Sequence, residues 1–170
     1  MNVDTNQKAL FLMDMDNELE SILQKVTSIR PENMLTIQCY GPVISHPYGD
    51  IMRAIIIAIY QENVEEIFVV GTENKGAASV NLFNQLDSMK EKIQTLDYLF
   101  QNNRPEFSND TVIEWLNGKE NDPIEKCVHT IHHHPLVPSN VNVRGLIVNK
   151  KDGSPSIIEV PAIKTASNLS

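Results

Sequence analysis

Three short apolar runs, each followed by a helical pattern, constrain the fold of this chain most strongly. The runs lie at residues 8–13, 34–39 and 67–70. They are continuous rather than alternating, which is typical of strands buried on both faces. Apolar residues recur at helical spacing over residues 19–29, and Pro31 is expected to end that helix. Strands alternating with helices predict an α/β domain with a central, mostly parallel sheet flanked by helices.

The remaining pattern continues this order to the C-terminus. Residues 50–61 are apolar nearly all round, which predicts a helix buried on most of its surface. Periodicity and cap residues predict the other elements: helices from residue 77 into the early 90s, over 110–116 and after Asp122-Pro123, a loop over 101–109, and strands over 141–148 and 157–160. A length of 170 residues predicts a single domain over 1–170, with a polar N-terminal arm at 1–7 and a loose C-terminal tail at 161–170.

Charge and composition exclude several kinds of partner. The chain has 22 acidic residues against 14 Lys and Arg, a net charge of −8, and such a surface repels nucleic acid and anionic lipid. The longest apolar stretch, residues 54–60, is too short to span a bilayer, and residues 1–7 lack the features of a signal peptide. We therefore expect a cytoplasmic protein. Cys39 and Cys127 are distant in sequence and indicate neither a disulfide framework nor a thiolate zinc site.

Acidic residues follow the first apolar run at alternate positions: Asp14, Asp16 and Glu18. Sites in parallel sheets lie at the carboxyl ends of strands, so these residues and the segment 71–76, GTENKG, are the candidates for function. A structural interpretation also fits, in which Asp16 or Asn17 caps the following helix and Glu18 lies in its first turn.

Two metal-dependent alternatives also begin from these acids. The segment FLMDMDNEL resembles the DxDGT motif of haloacid-dehalogenase-like phosphatases, but Asn17 stands for the Gly, Glu18 stands for the Thr, and no DD pair follows downstream. Magnesium could instead sit on Asp14, Asp16 and Glu18. A positive charge on Lys75 would oppose that cation.

A resemblance to one family covers nearly the whole chain. Residues 50–71 resemble the D-[VI]-x-R-S-L…EI-x-[VI]-[VI]-G segment of β-class carbonic anhydrases, and residues 134–153 resemble the HPL-[IV]-P…V-x-V-x-G ending of that family. Residues 8–19 then match its first strand and C-x-D-x-R motif. The resemblance implies a β-carbonic-anhydrase-like fold and a homodimer. It also implies a zinc ion, held by the Cys of that motif and by a later H-x-x-C, that activates a water molecule.

This sequence departs from the family at each zinc ligand. Asp14 stands where the first Cys is expected, Thr72 where the His is expected and Lys75 where the second Cys is expected. Asp16 matches the family Asp, but Glu18 replaces its Arg partner. Because Thr and protonated Lys are poor zinc ligands, we predict no metal and no cofactor at these altered catalytic positions.

The charges of the altered site suggest how it is held together. Asp14, Thr72 and a protonated Lys75 sum to zero charge, as two thiolates, a neutral His and a zinc ion do. We expect the Lys75 ammonium to pair with Asp14 in place of the metal. For Asp16 and Glu18 two options stay open: Arg53 or another cation reaches them, or Glu18 turns to solvent.

These residues predict a carbonic-anhydrase-like protein that does not hydrate carbon dioxide. It would be a binding, regulatory or accessory subunit with a protein partner in inorganic-carbon (bicarbonate) handling, the last clause resting on the resemblance. The alternative is an active enzyme, either a carbonic anhydrase with an unusual metal or another lyase or hydrolase that uses Asp14, Asp16 and Lys75. A third option is a scaffold whose dimer surface docks onto a larger complex.

Two further groups of residues have both a functional and a structural interpretation. His129, His132 and His133 are predicted on the solvent side of their helix, and His134 begins the structural HPLVP segment. Cys39 and His46 flank a loop rich in Gly and Pro. A buried Cys and a loop His are the more common interpretation there, beside a rebuilt metal site or a thiol nucleophile.

Overall fold

The chain is described by a computed structural model over residues 7–39, 44, 47–73, 89–103, 124–150 and 155–160. Backbone contacts divide it into two compact units, one formed by residues 1–73 with 122–170 and the other by residues 74–121. The prediction of a single domain is not tested by this division and stays a prediction.

A five-stranded sheet forms the centre of the first unit. Its strands are β1 (Ala9–Asp14), β2 (Met34–Cys39), β3 (Glu66–Thr72), β4 (Asn142–Asn149) and β5 (Ser156–Val160). The order across the sheet is β2-β1-β3-β4-β5, with the first four strands parallel and β5 antiparallel to β4. The predicted mostly parallel α/β architecture is therefore confirmed, and the carboxyl ends of β1, β3 and β4 lie at one edge.

Four α-helices are described: α1 (Leu19–Thr27), α2 (Asp50–Glu62), α3 (Lys90–Asn103) and α4 (Ile124–His132). A short 3-10 helix, Pro31–Asn33, precedes β2. Helix α1 ends before the predicted Ile29, because Ser28 adopts a left-handed backbone conformation with φ 56°. None of the helices in the described ranges has both the length and the apolar character needed to cross a bilayer.

Two predictions about helices were wrong. Helix α2 is not buried on most of its surface: Met52, Ile55 and Ile59 are buried, but Ile57 is 40% exposed and Tyr60 57% exposed, because the core covers one side of the helix. Helix α3 continues to Asn103, into the predicted loop over 101–109, although few of its residues are apolar. Three predicted segments lie outside the described residues: the helix over 110–116, residues 77–88 of the helix predicted from residue 77, and most of the loop over 40–49.

Both faces of the sheet are covered by apolar side chains, and β1 is buried along its whole length. Leu10 and Leu12 belong to the core cluster that includes residues of α2 and α4. Phe11 and Met13 belong to the cluster on the other face, which includes residues of α1. A strand packed on both faces has little freedom to shift. It therefore holds the residues at its carboxyl end in a fixed position.

Helix α4 packs closely against β3 and β4 because two glycines leave room for it. A Cβ atom added at Gly145 would lie 2.7 Å from Ile124 Cγ2, and one added at Gly71 would lie 2.3 Å from Ile124 Cδ1. The Ile124 side chain thus occupies the space that a side chain larger than that of glycine would need at position 71 or 145. This packing holds α4 near the strand ends that carry Thr72 and Asn149.

Candidate functional site

Two of the predicted site residues end neighbouring strands at the carboxyl edge of the sheet. Asp14 is the last residue of β1, 6% exposed and in register with Cys39 of β2. Its Oδ1 accepts a hydrogen bond from the Met15 N–H at 3.1 Å. Thr72 is the last residue of β3 and pairs with Val148 of β4. The parallel pairing of β1 with β3 places these two strand ends at the same edge of the sheet.

Lys75 lies outside the described residues. Its predicted ion pair with Asp14 therefore stays a prediction. Thr72 Oγ1 is buried and has no hydrogen-bond partner among the described residues. A buried hydroxyl group without a partner is unfavourable by about 1–3 kcal/mol, so this position favours a polar neighbour.

Asp16 lies in the turn between β1 and α1. Its Oδ1 accepts a hydrogen bond from the Glu18 N–H at 3.0 Å, and its backbone carbonyl accepts one from the Leu19 N–H at 3.2 Å. The N-cap of α1 is Glu18, not Asp16 or Asn17 as the structural interpretation predicted. The Asp16 side chain instead stabilises the turn that precedes the helix, as Asp side chains commonly do in turns.

Lys150, the residue after β4, supplies the cation of this site. Its Nζ donates to Asp16 Oδ2 and lies 3.2 Å from Glu18 Oε2. The side chains of Asp16 and Lys150 are 11% and 26% exposed, whereas that of Glu18 is 75% exposed. Burial lowers the pKa of Lys150, but hydrogen bonds and charge attraction from Asp16 and Glu18 outweigh burial and raise it above its usual value. The group is therefore a firmly charged ammonium.

The sequence analysis did not identify Lys150. It left open whether Arg53 or another cation reaches the acids, and the structure shows that this other cation is Lys150. A signal was present in the sequence, because Lys150 follows a predicted strand. If β4 is parallel to β1, the residues after the two strands lie at the same edge of the sheet. The order of β1 and β4 across the sheet was the missing information.

The donor groups at the family's ligand positions do not fit a zinc centre. Asp14 offers one carboxylate and Thr72 a neutral hydroxyl, whereas structural and catalytic zinc sites use thiolate, imidazole and carboxylate ligands. Magnesium is disfavoured for another reason: the Lys150 ammonium already contacts both Asp16 and Glu18. Within the described ranges, no three His, Cys, Asp or Glu side chains are grouped closely enough to hold a metal ion.

His134 has a structural role, as the HPLVP segment predicted. It is 6% exposed, its Nδ1 accepts a hydrogen bond from the Leu136 N–H at 3.1 Å, and its Nε2 lies 3.1 Å from the Pro47 carbonyl oxygen. Since a carbonyl can only accept, Nε2 carries the proton and the imidazole is neutral. His134 therefore ties the segment after α4 to the start of α2. His46, by contrast, lies outside the described residues.

The other three histidines cluster at the end of α4. His132 and His133 are exposed, as predicted, whereas His129 is half-buried. The rings of His129 and His133 are 4.0 Å apart between centroids, and those of His132 and His133 are 5.0 Å apart. Burial, followed by repulsion from His133 and His132, lowers the pKa of His129 below its ordinary value of 6.5. The folded protein thus holds a proton on His129 less readily than the unfolded chain.

We expect His129 to contribute to acid destabilisation. Because its pKa is lowered on folding, protonation of His129 favours the unfolded chain, and stability falls as the pH drops below about 6.5. The variant His129→Gln should lose less melting temperature between about pH 7.5 and pH 5 than the unmodified protein. The exposed His132→Gln is the matched control, with a smaller effect. An identical fall in melting temperature for His129→Gln and the unmodified protein would contradict the expectation.

Comparison with known proteins identifies the fold. No model of a known protein family matches the sequence. The β-carbonic anhydrase isoform I of Trichomonas vaginalis has a TM-score of 0.65 and 22% identity, over 91% of this chain and 83% of that chain. The apo form of a carbon disulfide hydrolase has a TM-score of 0.61 and 18% identity, over 97% of this chain and 83% of that chain. At these identities the likeness shows the fold, which is that of the β-carbonic anhydrases.

The sequence relatives identify the family. The carbonic anhydrase-like protein YbcF of Bacillus subtilis (strain 168) is 64% identical over 169 residues, which are 99% of this chain and 97% of that protein. The chain belongs to the β-carbonic anhydrase family, as its sequence motifs predicted.

Proposed function

We propose that this protein is a carbonic-anhydrase-like protein without the zinc centre, which does not hydrate carbon dioxide and serves as a binding, regulatory or accessory subunit. The observation that carries the proposal is the chemistry at the carboxyl edge. Asp14 and Thr72 end β1 and β3 at the positions matched to zinc ligands, and the motif carboxylate Asp16 is held by Lys150.

Loss of zinc removes the nucleophile of the family reaction. Bound zinc lowers the pKa of water from about 15.7 to about 7, which makes hydroxide available at neutral pH. The described side chains offer no equivalent. Both oxygens of Asp16 already accept hydrogen bonds, from Glu18 N–H and Lys150 Nζ, so Asp16 is poorly placed to take a proton from water. We therefore expect no acceleration of carbon dioxide hydration.

The charges at this edge bear on the ligand. Among the described residues, the carboxyl groups of Asp16 and Glu18 share the ammonium group of Lys150, and a third carboxyl group, that of Asp14, ends β1 two residues before Asp16. The excess of negative charge disfavours the binding of bicarbonate beside Asp16, so an anion site here would depend on the positive charge of Lys75. The charge pattern therefore supports a protein-binding role in inorganic-carbon handling more than direct bicarbonate capture. We propose a homodimer as the working unit, in line with the family resemblance.

An enzyme of another kind is the second candidate. The observation in its favour is that a buried carboxyl group, Asp14, and the Thr72 hydroxyl, which has no hydrogen-bond partner among the described residues, end the neighbouring strands β1 and β3. Such groups could transfer protons to a small substrate, with Lys75 as an additional candidate. The fold itself does not decide the reaction, because one fold hosts many activities. This candidate enzyme would be a lyase or hydrolase with a rebuilt site.

Metal content and hydration activity together test the proposal. Untagged protein, purified without chelator from zinc-supplemented cells, should contain less than about a tenth of a metal ion per chain by elemental mass spectrometry. Stopped-flow hydration of carbon dioxide should match the uncatalysed rate, with a zinc-loaded β-carbonic anhydrase measured in parallel. One tightly held metal per chain together with catalysed hydration would overturn it.

A second measurement addresses the role in inorganic-carbon handling. We expect millimolar bicarbonate, compared with chloride at equal ionic strength, to leave the melting temperature unchanged in the isolated protein. A selective upward shift with bicarbonate would instead indicate direct anion binding. The variant Lys75→Met would then show whether Lys75 carries that binding, because it removes the added positive charge.

A further inference from the structure

Lys150 connects two strands that are not neighbours in the sheet. It follows β4, whereas Asp16 follows β1, and β3 lies between these strands. The lysine Nζ nevertheless contacts the carboxylates of both Asp16 and Glu18. A long aliphatic stem allows this reach, and it places the charged group between the two acids.

This contact adds a second side-chain hydrogen bond to Asp16. Oδ1 accepts from the Glu18 N–H and Oδ2 accepts from Lys150 Nζ. The Asp16 side chain is 11% exposed, so solvent contributes little to holding its charge. Among the described residues, Lys150 is the ammonium that contacts both this mostly buried carboxylate and its neighbour Glu18.

We propose that Lys150 is a positioning residue that supplies, from the end of β4, the cation missing from the first motif. It fixes Asp16 at the carboxyl edge and keeps hard divalent cations from binding between Asp16 and Glu18. Two carboxylates with a free site between them would attract such a cation through their oxygen atoms, and an ammonium already in contact with both opposes it. The proposal concerns the charge arrangement and does not depend on whether the protein hydrates carbon dioxide.

Removal of the lysine charge should expose the cation site. In metal-free buffer, the variant Lys150→Met is expected to melt below the unmodified protein by roughly 3–8 °C, since it removes the ammonium that contacts a mostly buried carboxylate. Millimolar magnesium chloride should restore part of this loss in Lys150→Met and leave the unmodified protein unchanged. Manganese should give the same pattern, with bound Mn²⁺ detected by loss of the free-ion electron paramagnetic resonance signal.

Three further variants separate this role from a general loss of stability. Lys150→Arg should retain the stability and the insensitivity to magnesium, because guanidinium also pairs with carboxylates. Lys150→Met with Glu18→Gln should lose the magnesium response. Lys8→Met removes the ammonium from a different ion pair, with Glu62, and should show no rescue by magnesium. If Lys150→Met fails to fold, Lys150→Gln takes its place in the same series.

The outcomes divide clearly. Selective rescue of the Lys150 variant by magnesium and manganese would support the proposal. Equal responses of Lys150→Met and Lys8→Met would overturn it, as would a Lys150→Met variant as stable as the unmodified protein. An unmodified protein that binds Mn²⁺ as tightly as the variant would also overturn it, because Lys150 would then not exclude the cation.

Discussion

The triple variant Asp14→Cys, Thr72→His, Lys75→Cys is expected to purify with about one zinc ion per chain, because two thiolates and one imidazole with a water molecule complete a tetrahedral catalytic site. Asp14 and Thr72 end β1 and β3 at the same edge of the sheet, so the first two new ligands start from adjacent strands. The third position rests on the family resemblance. The measurement is zinc content by elemental mass spectrometry, followed by stopped-flow carbon dioxide hydration.

A matched control keeps the same three ligand types and moves one of them. Met15→Cys, Thr72→His, Lys75→Cys places the first thiol one residue later, where Met15 is 49% exposed. We expect this variant to hold less than about a tenth of a zinc ion per chain. A folded triple variant at position 14 that binds no zinc would contradict the assignment of Asp14, Thr72 and Lys75 to the ligand positions. Thermal melting of all variants separates this result from misfolding.

Phe11→Ala is expected to lower the free energy of unfolding by about 3–5 kcal/mol, the usual range for a fully buried Phe reduced to Ala. Phe11 is 0% exposed in the centre of β1, and its ring stacks on that of Phe68 in β3, with 4.9 Å between centroids. The substitution removes this stacking and leaves a cavity on the face of the sheet where Phe11 and Phe68 belong to the cluster that includes residues of α1. Urea unfolding followed by circular dichroism measures the change.

Phe11→Leu provides the control for this prediction. Leucine keeps most of the apolar volume and loses the stacking, so we expect a smaller loss of stability than for Phe11→Ala. Tyr98→Ala, at a side chain that is 66% exposed, should change stability by less than about 0.5 kcal/mol. A Phe11→Ala protein as stable as the Tyr98→Ala protein would contradict the packing described here.

The buried strands were predictable because each is a short apolar run with few alternatives. The prediction for β2 over 34–39 matches the structure, and that for β1 is displaced by one residue. In α4, Cys127, Val128 and Ile131 recur at helical spacing and are all buried. In these segments local pattern and tertiary packing favour the same conformation.

Other elements carried too weak a local signal. Helix α3 has a sparse apolar pattern over Lys90–Asn103, and its last turn was predicted as loop. For α2 the apolar pattern was strong but did not reveal which side the core would cover. The exposure of Ile57 and Tyr60 depends on how α2 packs against the rest of the protein. A local window of sequence carries no information about that packing.

The sequence by itself determined the α/β architecture, the family, and the place of Asp14, Asp16, Glu18 and Thr72 at or just after the carboxyl ends of strands. The architecture and the strand ends depend on residue type and on short-range periodicity, which are read directly from the chain, whereas the family follows from the resemblance of three segments to its motifs. The tertiary structure alone decided that Lys150, 134 residues after Asp16, is the cation that holds Asp16 and Glu18. The physical reason is that this contact depends on strand order across the sheet, and sequence distance carries no information about it.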